Sequence, residues 1–284
     1  MRNIAVSWQF CLYQMRRLLT SSRMALLMML LCLFAVLYAA PVAEFAASHQ
    51  RKVSAIGVLP VITSDLLSQM ILMMGVVLMF SDAPFLDHNQ LYLLMRSDRS
   101  TWALGQVMYI VVSSLLYFLV AVSICWLFMI PYIEFSADWG KIWMTLANQT
   151  ENEVSMLVHT RVLGQYTVAE AGAFSLLLGW LASSVIGCEI FLVNAVSRTK
   201  IGLVLGAAQT VMGITIVNSL LDYKLHMFSP LSLSNLRLID RSGLAKGYPS
   251  LGYAVVALLL TVAVLTCVIV KHAQYDQKYL ETQI

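Results

Sequence analysis

Charged residues are scarce in this sequence. Only 12% of its 284 residues are Asp, Glu, Lys or Arg, whereas a soluble domain averages about 25%. Hydrophobic residues make up 60% of the chain, and the mean hydropathy is +0.78. The net charge of +3 is too small to indicate a nucleic-acid partner. We therefore expect a polytopic membrane protein whose residues 1–284 form a single transmembrane domain in the lipid bilayer.

The motifs of common enzymes and metal sites are also missing. The five cysteines and five histidines are scattered singly, with no CxxC pair and no HExxH, so neither a disulfide framework nor a zinc site is indicated. No GxSxG occurs, and Gly140-Lys141 is followed by Ile142 rather than by the Ser or Thr of a Walker A loop. The sequence therefore predicts no catalytic residue, no cofactor site and no metal site, and the chain is not expected to be an enzyme by itself.

Long apolar stretches dominate what is present. Each is roughly 20 residues or longer, enough for a helix to cross a hydrocarbon layer of about 30 Å. The sequence predicts an all-α membrane protein with six transmembrane helices, at 24–43, 57–80, 103–130, 169–196, 201–221 and 251–270.

Residues 1–23 precede the first span and show a helical pattern. Apolar residues gather on one side of a 3.6-residue helix, and polar or basic residues, including Ser7, Gln14, Arg16 and Arg17, cover most of the other. This pattern favours an amphipathic helix lying in the membrane interface. The alternative is an irregular tail. The apolar set is Ile4, Trp8, Cys11, Leu12, Met15, Leu18 and Leu19.

The basic start of the chain sets the expected orientation. Arg2, Arg16, Arg17 and Arg23 occur before the first span without any acidic residue. Because cytoplasmic flanks are enriched in Lys and Arg, we expect the N-terminus in the cytoplasm. Six spans would return the C-terminus to the same side of the cell inner (plasma) membrane.

A polar break, residues 81–102, separates the second and third predicted spans. Asp82 followed by Pro84 is a helix-start signal. Apolar residues then alternate with Asp87, Arg96 and other polar residues. We interpret the break as a short amphipathic helix on the membrane surface, with a charged end available to a soluble partner.

Small residues predict how two spans pack. Five of them recur every fourth residue in the fourth span, and Gly202 and Gly206 form a GxxxG pair in the fifth. Close backbone approach at such residues drives helix association in lipid, so we expect spans four and five to pack tightly together. The alternative is that small residues are simply common in membrane helices. The five are Ala171, Ser175, Gly179, Ser183 and Gly187.

Few ionisable residues lie within the spans. Asp65 is the deepest, about 12 Å from Gly57 at 1.5 Å per residue. Glu189 is nearer to the end of its span, where it could reach water or pair with Arg198. Intramembrane ionisable groups are functional candidates, so Asp65 and Glu189 are candidate pathway residues. The alternative for Asp65 is pairing with a polar neighbour. The loop 222–249 is also unusually apolar, which fits either a re-entrant hairpin or a packed loop.

The segment Phe80-Ser81-Asp82-Ala83-Pro84-Phe85, followed by Tyr92, Arg96, Arg99 and Trp102, resembles the region after the second span in bacterial ABC-2 type transporter permeases. The N-terminal helix, the six spans and the apolar segment before the last span resemble that family along the whole chain. The resemblance implies a permease without its own nucleotide site, served by separate ATPase subunits that bind ATP and Mg²⁺, and paired with a second permease chain, alike or different.

The resemblance also implies residue roles. The cytosolic helix from Pro84 to Arg99 would seat in a groove of the ATPase, with Arg16 and Arg17 bracing the same partner and spans two and five near the subunit interface. The chain departs from the family in having no long soluble domain. Any substrate would therefore be recognised within the spans or at their mouths. The implied coupling residues are Pro84, Phe85, Asp87, Tyr92, Arg96, Asp98 and Arg99.

Three functions remain as expectations from the sequence. The first is the membrane subunit of an ATP-driven exporter of an amphiphile or peptide-like substrate such as an antimicrobial peptide. The second is an ion-coupled secondary transporter, which would call for more charged residues in the spans and an internal repeat. The third is a structural or immunity membrane protein that transports nothing.

Overall fold

A computed structural model of the chain describes residues 2–85, 98–148, 156–217, 223–241 and 247–281. Its first half contains α1 (Arg2–Thr20), α2 (Ser22–Tyr38), α3 (Ala40–Ser48), α4 (Val58–Ser64), α5 (Leu66–Met79) and α6 (Arg99–Met129). Its second half contains α7 (Gly140–Asn148), α8 (Thr160–Gln165), α9 (Val168–Ser197), α10 (Ile201–Val217), α11 (Pro230–Leu233) and α12 (Leu251–Glu281). Two 3₁₀ turns (Tyr223–Met227 and Leu236–Leu238) and two short strands, β1 (Val53–Ser54) and β2 (Ile133–Glu134), complete the described elements.

Four apolar helical segments among the described residues are long enough to cross a membrane: Ser22–Ser48, Arg99–Met129, Val168–Ser197 and Leu251–Gln274. The bent pair α4 and α5 makes a fifth where it counts as one span. With 17 residues, α10 is shorter, about 25 Å at 1.5 Å per residue. The chain is therefore a helical protein with four or five segments able to span a membrane by length and composition.

The predicted continuous span at 57–80 is broken in the structure. Helix α4 ends at Ser64, and α5 leaves at a bend of 97°. Asp65 lies between them in an extended conformation and accepts a hydrogen bond from the backbone N–H of Ser68, 2.9 Å away. An Asp at this position satisfies an orphan N–H group and so starts a new helix. Apolar length alone cannot reveal such a cap, which is why the sequence predicted one helix.

Helix α1 packs lengthwise along the first half of α6. Ser7, Phe10 and Gln14 are buried in this contact, and the Ser7 hydroxyl donates to the carbonyl of Thr101 over 2.8 Å. Gly105 permits the close approach, because a β-carbon there would lie 2.7 Å from Cβ of Phe10. The sequence pattern had placed Ser7 and Gln14 on the water-facing side, which is wrong. The exposed residues include the apolar Ile4, Trp8, Leu12 and Leu19.

Helix α9 lies at the centre of the bundle, and two glycines of its small-residue stripe face α6 and the end of α5. A β-carbon at Gly179 would lie 3.0 Å from the ring of Phe118, and one at Gly187 would lie 2.6 Å from Ile110 and 2.8 Å from Phe80. These two glycines therefore contact other helices, whereas the predicted tight packing of spans four and five is made by the glycines of the fifth span. The glycines of that span, Gly202 and Gly206, do approach α9 closely, both at Ile190.

The two ends of the bundle differ in character. The end that carries Arg23, Arg198 and Lys200 is called the basic end here. At the opposite end, the far end, β1 and β2 pair in parallel, and three indole N–H groups donate to backbone carbonyls. Trp126 bonds Ala55 (3.0 Å), Trp139 bonds Tyr166 (2.9 Å) and Trp143 bonds Ser54 (3.2 Å). These bonds fix the connecting segments over the ends of the long helices.

The apolar segment before α12 consists of short broken helices that pack inside the far end. Four of its leucines are buried. Gly213 of α10 allows this packing, because a β-carbon there would meet Leu231 at 2.8 Å. The segment is therefore part of the core rather than a solvated loop. The buried leucines are Leu231, Leu233, Leu236 and Leu238.

Gly202 offers a direct test of the contact between α9 and α10. Its β-carbon would lie 2.6 Å from the carbonyl oxygen of Ile190. We expect Gly202→Ala to lower the free energy of unfolding by about 1–3 kcal/mol, because the methyl group must push two backbones apart. Thermal unfolding of the detergent-purified protein measures this. Gly252→Ala is the matched control, since nothing lies within 4 Å of its added methyl group, and equal effects of the two changes would contradict the packing.

Candidate functional site

The turn at residues 82–85, where α5 ends at the basic end, collects contacts from distant parts of the chain. The carboxylate of Asp82 forms a salt bridge with Arg23 at the start of α2. Lys200, in the connection between α9 and α10, lies 4.0 Å from the other carboxylate oxygen. One acidic side chain thus joins the ends of three elements.

Backbone carbonyls of the same turn accept hydrogen bonds from buried side chains. The Asn194 amide donates to the carbonyl of Ala83 over 3.1 Å, and its Oδ1 accepts from the backbone N–H of Gly202 over 2.8 Å. The carbonyl of Phe85 accepts from Gln14 (3.2 Å) and Arg17 (3.1 Å), both on α1. The 82–85 turn is therefore held by α1, α2, α9 and the start of α10.

The ring of Phe85 anchors the turn in the core. It is only 6% exposed and makes an edge contact with Tyr109 of α6, with ring centroids 5.1 Å apart. Phe191 of α9 lies 6.1 Å away and Phe80 lies 6.4 Å away. Phe85 also has a positive φ of 59°, which is uncommon for a bulky residue and persists only where the surroundings fix it.

The residues of the predicted coupling helix separate in the structure. Pro84 and Phe85 belong to the turn, and Arg99 is the first residue of α6, preceded by the exposed Asp98. The predicted bounds, Pro84 to Arg99, are therefore too wide, because both ends belong to other elements. Asp87, Tyr92 and Arg96 lie outside the described residues.

The two arginines of the predicted N-terminal brace lie in different environments. Arg17 is half-buried and donates to the carbonyl of Phe85. Arg16 is exposed on the neighbouring surface of α1. Arg17 thus braces the 82–85 turn within the chain, while Arg16 is accessible to a partner.

Asp65, the deepest acidic residue of the sequence analysis, lies beside a buried amide network. Gln69 donates to Ser234 (2.8 Å) and to the carbonyl of Leu231 (3.1 Å). Asn235 donates to Gln69 (2.8 Å) and to the carbonyl of Ser64 (3.3 Å). The network therefore ties the break between α4 and α5 to the broken segment before α12.

A charged cluster continues outward from this network. Arg237 lies 3.3 Å from Nε2 of His159, and Arg161 lies 3.6 Å from the buried carboxylate of Asp240. Burial, and next the Arg237 charge, lower the pKa of His159 to about 4, whereas Asp65 acts in the opposite direction. His159 is thus neutral at physiological pH and can accept the Arg237 hydrogen bond.

Glu189, the other candidate pathway residue, pairs with Gln209 of α10. Arg198, which the sequence analysis gave as one possible partner, instead lines a cavity at the basic end. Glu189 and Gln209 therefore form a polar link between the C-terminal part of α9 and the middle of α10.

Sequence reasoning missed Gln69, Asn194 and Asn235 because only ionisable residues were treated as unusual within apolar stretches. A neutral amide in such a stretch is itself a signal, since its donors and acceptors need partners inside the protein. All three amides bond to places where a helix starts or stops.

No family model, no curated protein and no solved structure matches this chain. Across the described residues, no three His, Cys, Asp or Glu side chains come together in a way that could hold a metal ion. The functional conclusion therefore depends on the contacts of the 82–85 turn and of the two polar networks.

Asn194 can be tested by removing its side chain. Asn194→Ala leaves the buried carbonyl of Ala83 and the N–H of Gly202 without their side-chain partner. An unsatisfied buried group costs about 1–3 kcal/mol, so we expect an unfolding free energy about 2–4 kcal/mol lower, measured by thermal unfolding. Gln9→Ala, an exposed amide on α1, serves as the control. An Asn194 variant as stable as this control would show that the amide does not hold the turn.

The lowered pKa of His159 predicts that the far end of the bundle is less stable at acid pH. The folded pKa of His159 lies below the ordinary value of 6.5, so protonation favours the unfolded chain. The contribution of neutral His159 to the free energy of unfolding is fully present above pH 6.5 and is lost as the pH drops from 6.5 toward 4. Because His159 is partly exposed, we expect the free energy of unfolding to fall by only about 1–2 kcal/mol. Denaturation measured across this pH range tests this.

His159→Gln is the matched variant for that measurement. Its side-chain oxygen can still accept from Arg237, but it does not titrate. We expect the difference between wild type and variant to appear only below pH 6.5. Parallel pH profiles would show that His159 is not the group responsible.

Proposed function

We propose that the chain is the membrane-spanning permease subunit of an ATP-binding-cassette exporter. A separate ATPase subunit would bind ATP and Mg²⁺, and a second permease chain, alike or different, would complete the transmembrane unit. The observation that carries this proposal is the 82–85 turn, which begins the polar break between two apolar helices and is held by four other elements of the chain.

The contacts of the turn favour a mechanical role. Residues 86–97 follow directly after Phe85 and carry the charged groups of the predicted cytosolic helix. A push on that segment reaches α1 through Gln14 and Arg17, α2 through Arg23, and the α9–α10 junction through Asn194. A partner that closes on ATP could therefore move several membrane helices through one short lever.

The basic start of the chain supports an orientation in which the basic end is cytoplasmic. Arg16, Arg17 and Arg23 lie there together with Arg198 and Lys200, and so do the 82–85 turn and the start of α6. We infer six spans in the cell inner (plasma) membrane, with α4–α5 as a broken second span and α10 as a short fifth. Both termini are then cytoplasmic.

An apolar groove between α2, α5 and α10 suits an amphiphilic substrate. Its volume is about 520 Å³. Apolar side chains form nearly all of its wall, and methionines among them can adapt to different shapes. We propose that the substrate is an amphiphile or peptide-like molecule that moves beside this wall. The lining includes Leu26, Leu30, Phe34, Met70, Met74 and Leu203.

An ion-coupled secondary transporter is a second candidate, favoured by the break at Asp65. Discontinuous helices with a nearby charge bind substrates or ions in several such transporters. The hydrogen bonds from Gln69 and Asn235 fill this break with protein groups instead. Transport into vesicles driven by an ion gradient without nucleotide would favour this candidate over the exporter.

The exporter proposal predicts a copurifying ATPase. We expect Arg96→Glu with Arg99→Glu to lower the ATPase retained in mild detergent by about tenfold or more, because repulsion replaces charge complementarity at the docking segment. The measurement is the ATPase recovered per permease after affinity purification from the native membrane.

Arg51→Glu with Lys52→Glu provides a matched double charge reversal at the exposed far end. We expect this control to retain the ATPase. The coupling assignment is wrong when reversal of Arg96 and Arg99 leaves both ATPase association and transport intact.

A further inference from the structure

A cavity of about 690 Å³ opens beside the 82–85 turn at the basic end. It lies between the first turns of α6, the last turns of α9 and the α12 residues near Ile269. These three helices converge there, and the hydrogen bond from Gln274 to Ser100 (3.0 Å) ties α12 to α6 near its mouth. The cavity is thus a built feature of the fold.

The lining of this cavity separates into a charged rim and an apolar wall. Arg99, Arg198 and Lys200 supply three cationic side chains. Among the described lining residues the one carboxylate is Asp82, which is bridged to Arg23 and also lies 4.0 Å from Lys200, whereas no salt bridge joins Arg99 or Arg198 to it. The rim therefore carries an excess of positive charge that favours an anion.

Apolar side chains form most of the remaining lining, which also includes the polar residues Asn194, Thr199 and His272. Phe191, Leu192 and Ile269 form the apolar wall together with the ring of Trp102, which lies 6.0 Å from the ring of Phe191. A small hydrophilic anion would gain nothing from such a wall. An amphiphile with a negative headgroup satisfies both parts of the lining.

We propose that this cavity holds an anionic phospholipid, with its phosphate at Arg198 and Lys200 and the start of an acyl chain beside Leu192 and Ile269. Basic pockets between membrane helices on the cytoplasmic side bind anionic headgroups in this way. Apolar lining beside the cations suits an acyl chain next to an anionic headgroup, whereas a protein partner would use the exposed cations alone. The assignment to the inner leaflet depends on the proposed orientation, but lipid binding itself does not.

The test uses the delipidated full-length chain in detergent, with phosphatidylglycerol and phosphatidylcholine of the same acyl chains as the probes. Native mass spectrometry measures the apparent dissociation constant of each. One basic residue near a membrane surface contributes about fivefold in affinity for anionic lipid, so two give about 25-fold tighter binding of phosphatidylglycerol. Equal affinity of the wild-type chain for the two lipids would overturn the proposal without any variant.

Two variants separate the rim from the wall. Arg198→Gln with Lys200→Gln is expected to abolish the roughly 25-fold preference, whereas Arg51→Gln with Lys52→Gln at the far end leaves it unchanged. Ala195→Trp places a bulky ring in the cavity wall. It is expected to weaken the binding of both lipids without altering the charge of the cavity. Retention of the preference in the Arg198 and Lys200 variant, or unchanged lipid binding after Ala195→Trp, contradicts the proposal.

A soluble anion and an acidic protein partner are the other occupants that the experiment distinguishes. Millimolar inorganic phosphate is expected to leave phosphatidylglycerol bound, and displacement by phosphate alone would overturn the lipid assignment. The Arg198 and Lys200 variant is expected to keep the copurifying ATPase. Loss of the ATPase with unchanged lipid binding would assign these cations to the partner, while loss of lipid with the ATPase retained supports the proposal separately from the exporter function.

Discussion

Every helix that stops inside an apolar bundle leaves backbone N–H and C=O groups that hydrocarbon cannot satisfy. This chain meets that constraint with its own polar side chains. Asp65 caps α5 after the bend from α4. Asn194 joins the 82–85 turn to the start of α10. At the far end, Asn235 bonds the last carbonyl of α4. The positions of these few side chains decide where the helices can break.

At the basic end, the same constraint fixes the 82–85 turn firmly to the bundle. The carbonyls of Ala83 and Phe85 are bonded to buried side chains, and the Phe85 ring is inserted among Phe80, Tyr109 and Phe191. A segment rooted in this way moves together with the helices around it. This connection is the physical basis of the proposed coupling between a cytosolic ATPase and the membrane helices. The neighbouring cavity, with its cationic rim, makes the same region sensitive to the charge of the surrounding lipid.

Close approach at glycines explains the rest of the packing. Gly105 brings α1 against α6, Gly187 admits Phe80 and Ile110 at the centre, and Gly202 brings α10 against the backbone of Ile190. Because hydrocarbon offers little hydrophobic drive between helices, such contacts supply much of the attraction. Helix α9 is therefore the central element, with α6 on its small-residue face and α10 on another.

The sequence by itself determined the long apolar helices, able to span a membrane by length and composition, and the end of the apolar stretch after residue 80, because these follow from composition and periodicity alone. It also identified the glycines of α10, since a GxxxG pair signals close packing wherever it occurs in lipid. Only the tertiary structure decided the break at Asp65, the burial of Ser7 and Gln14, and the partner of the α9 stripe. Each of these depends on which residues meet from distant parts of the chain, as when Asn235 reaches the end of α4. A one-dimensional pattern of apolar and polar residues does not contain that information, because a polar group inside a bundle is acceptable only where the fold supplies its partner.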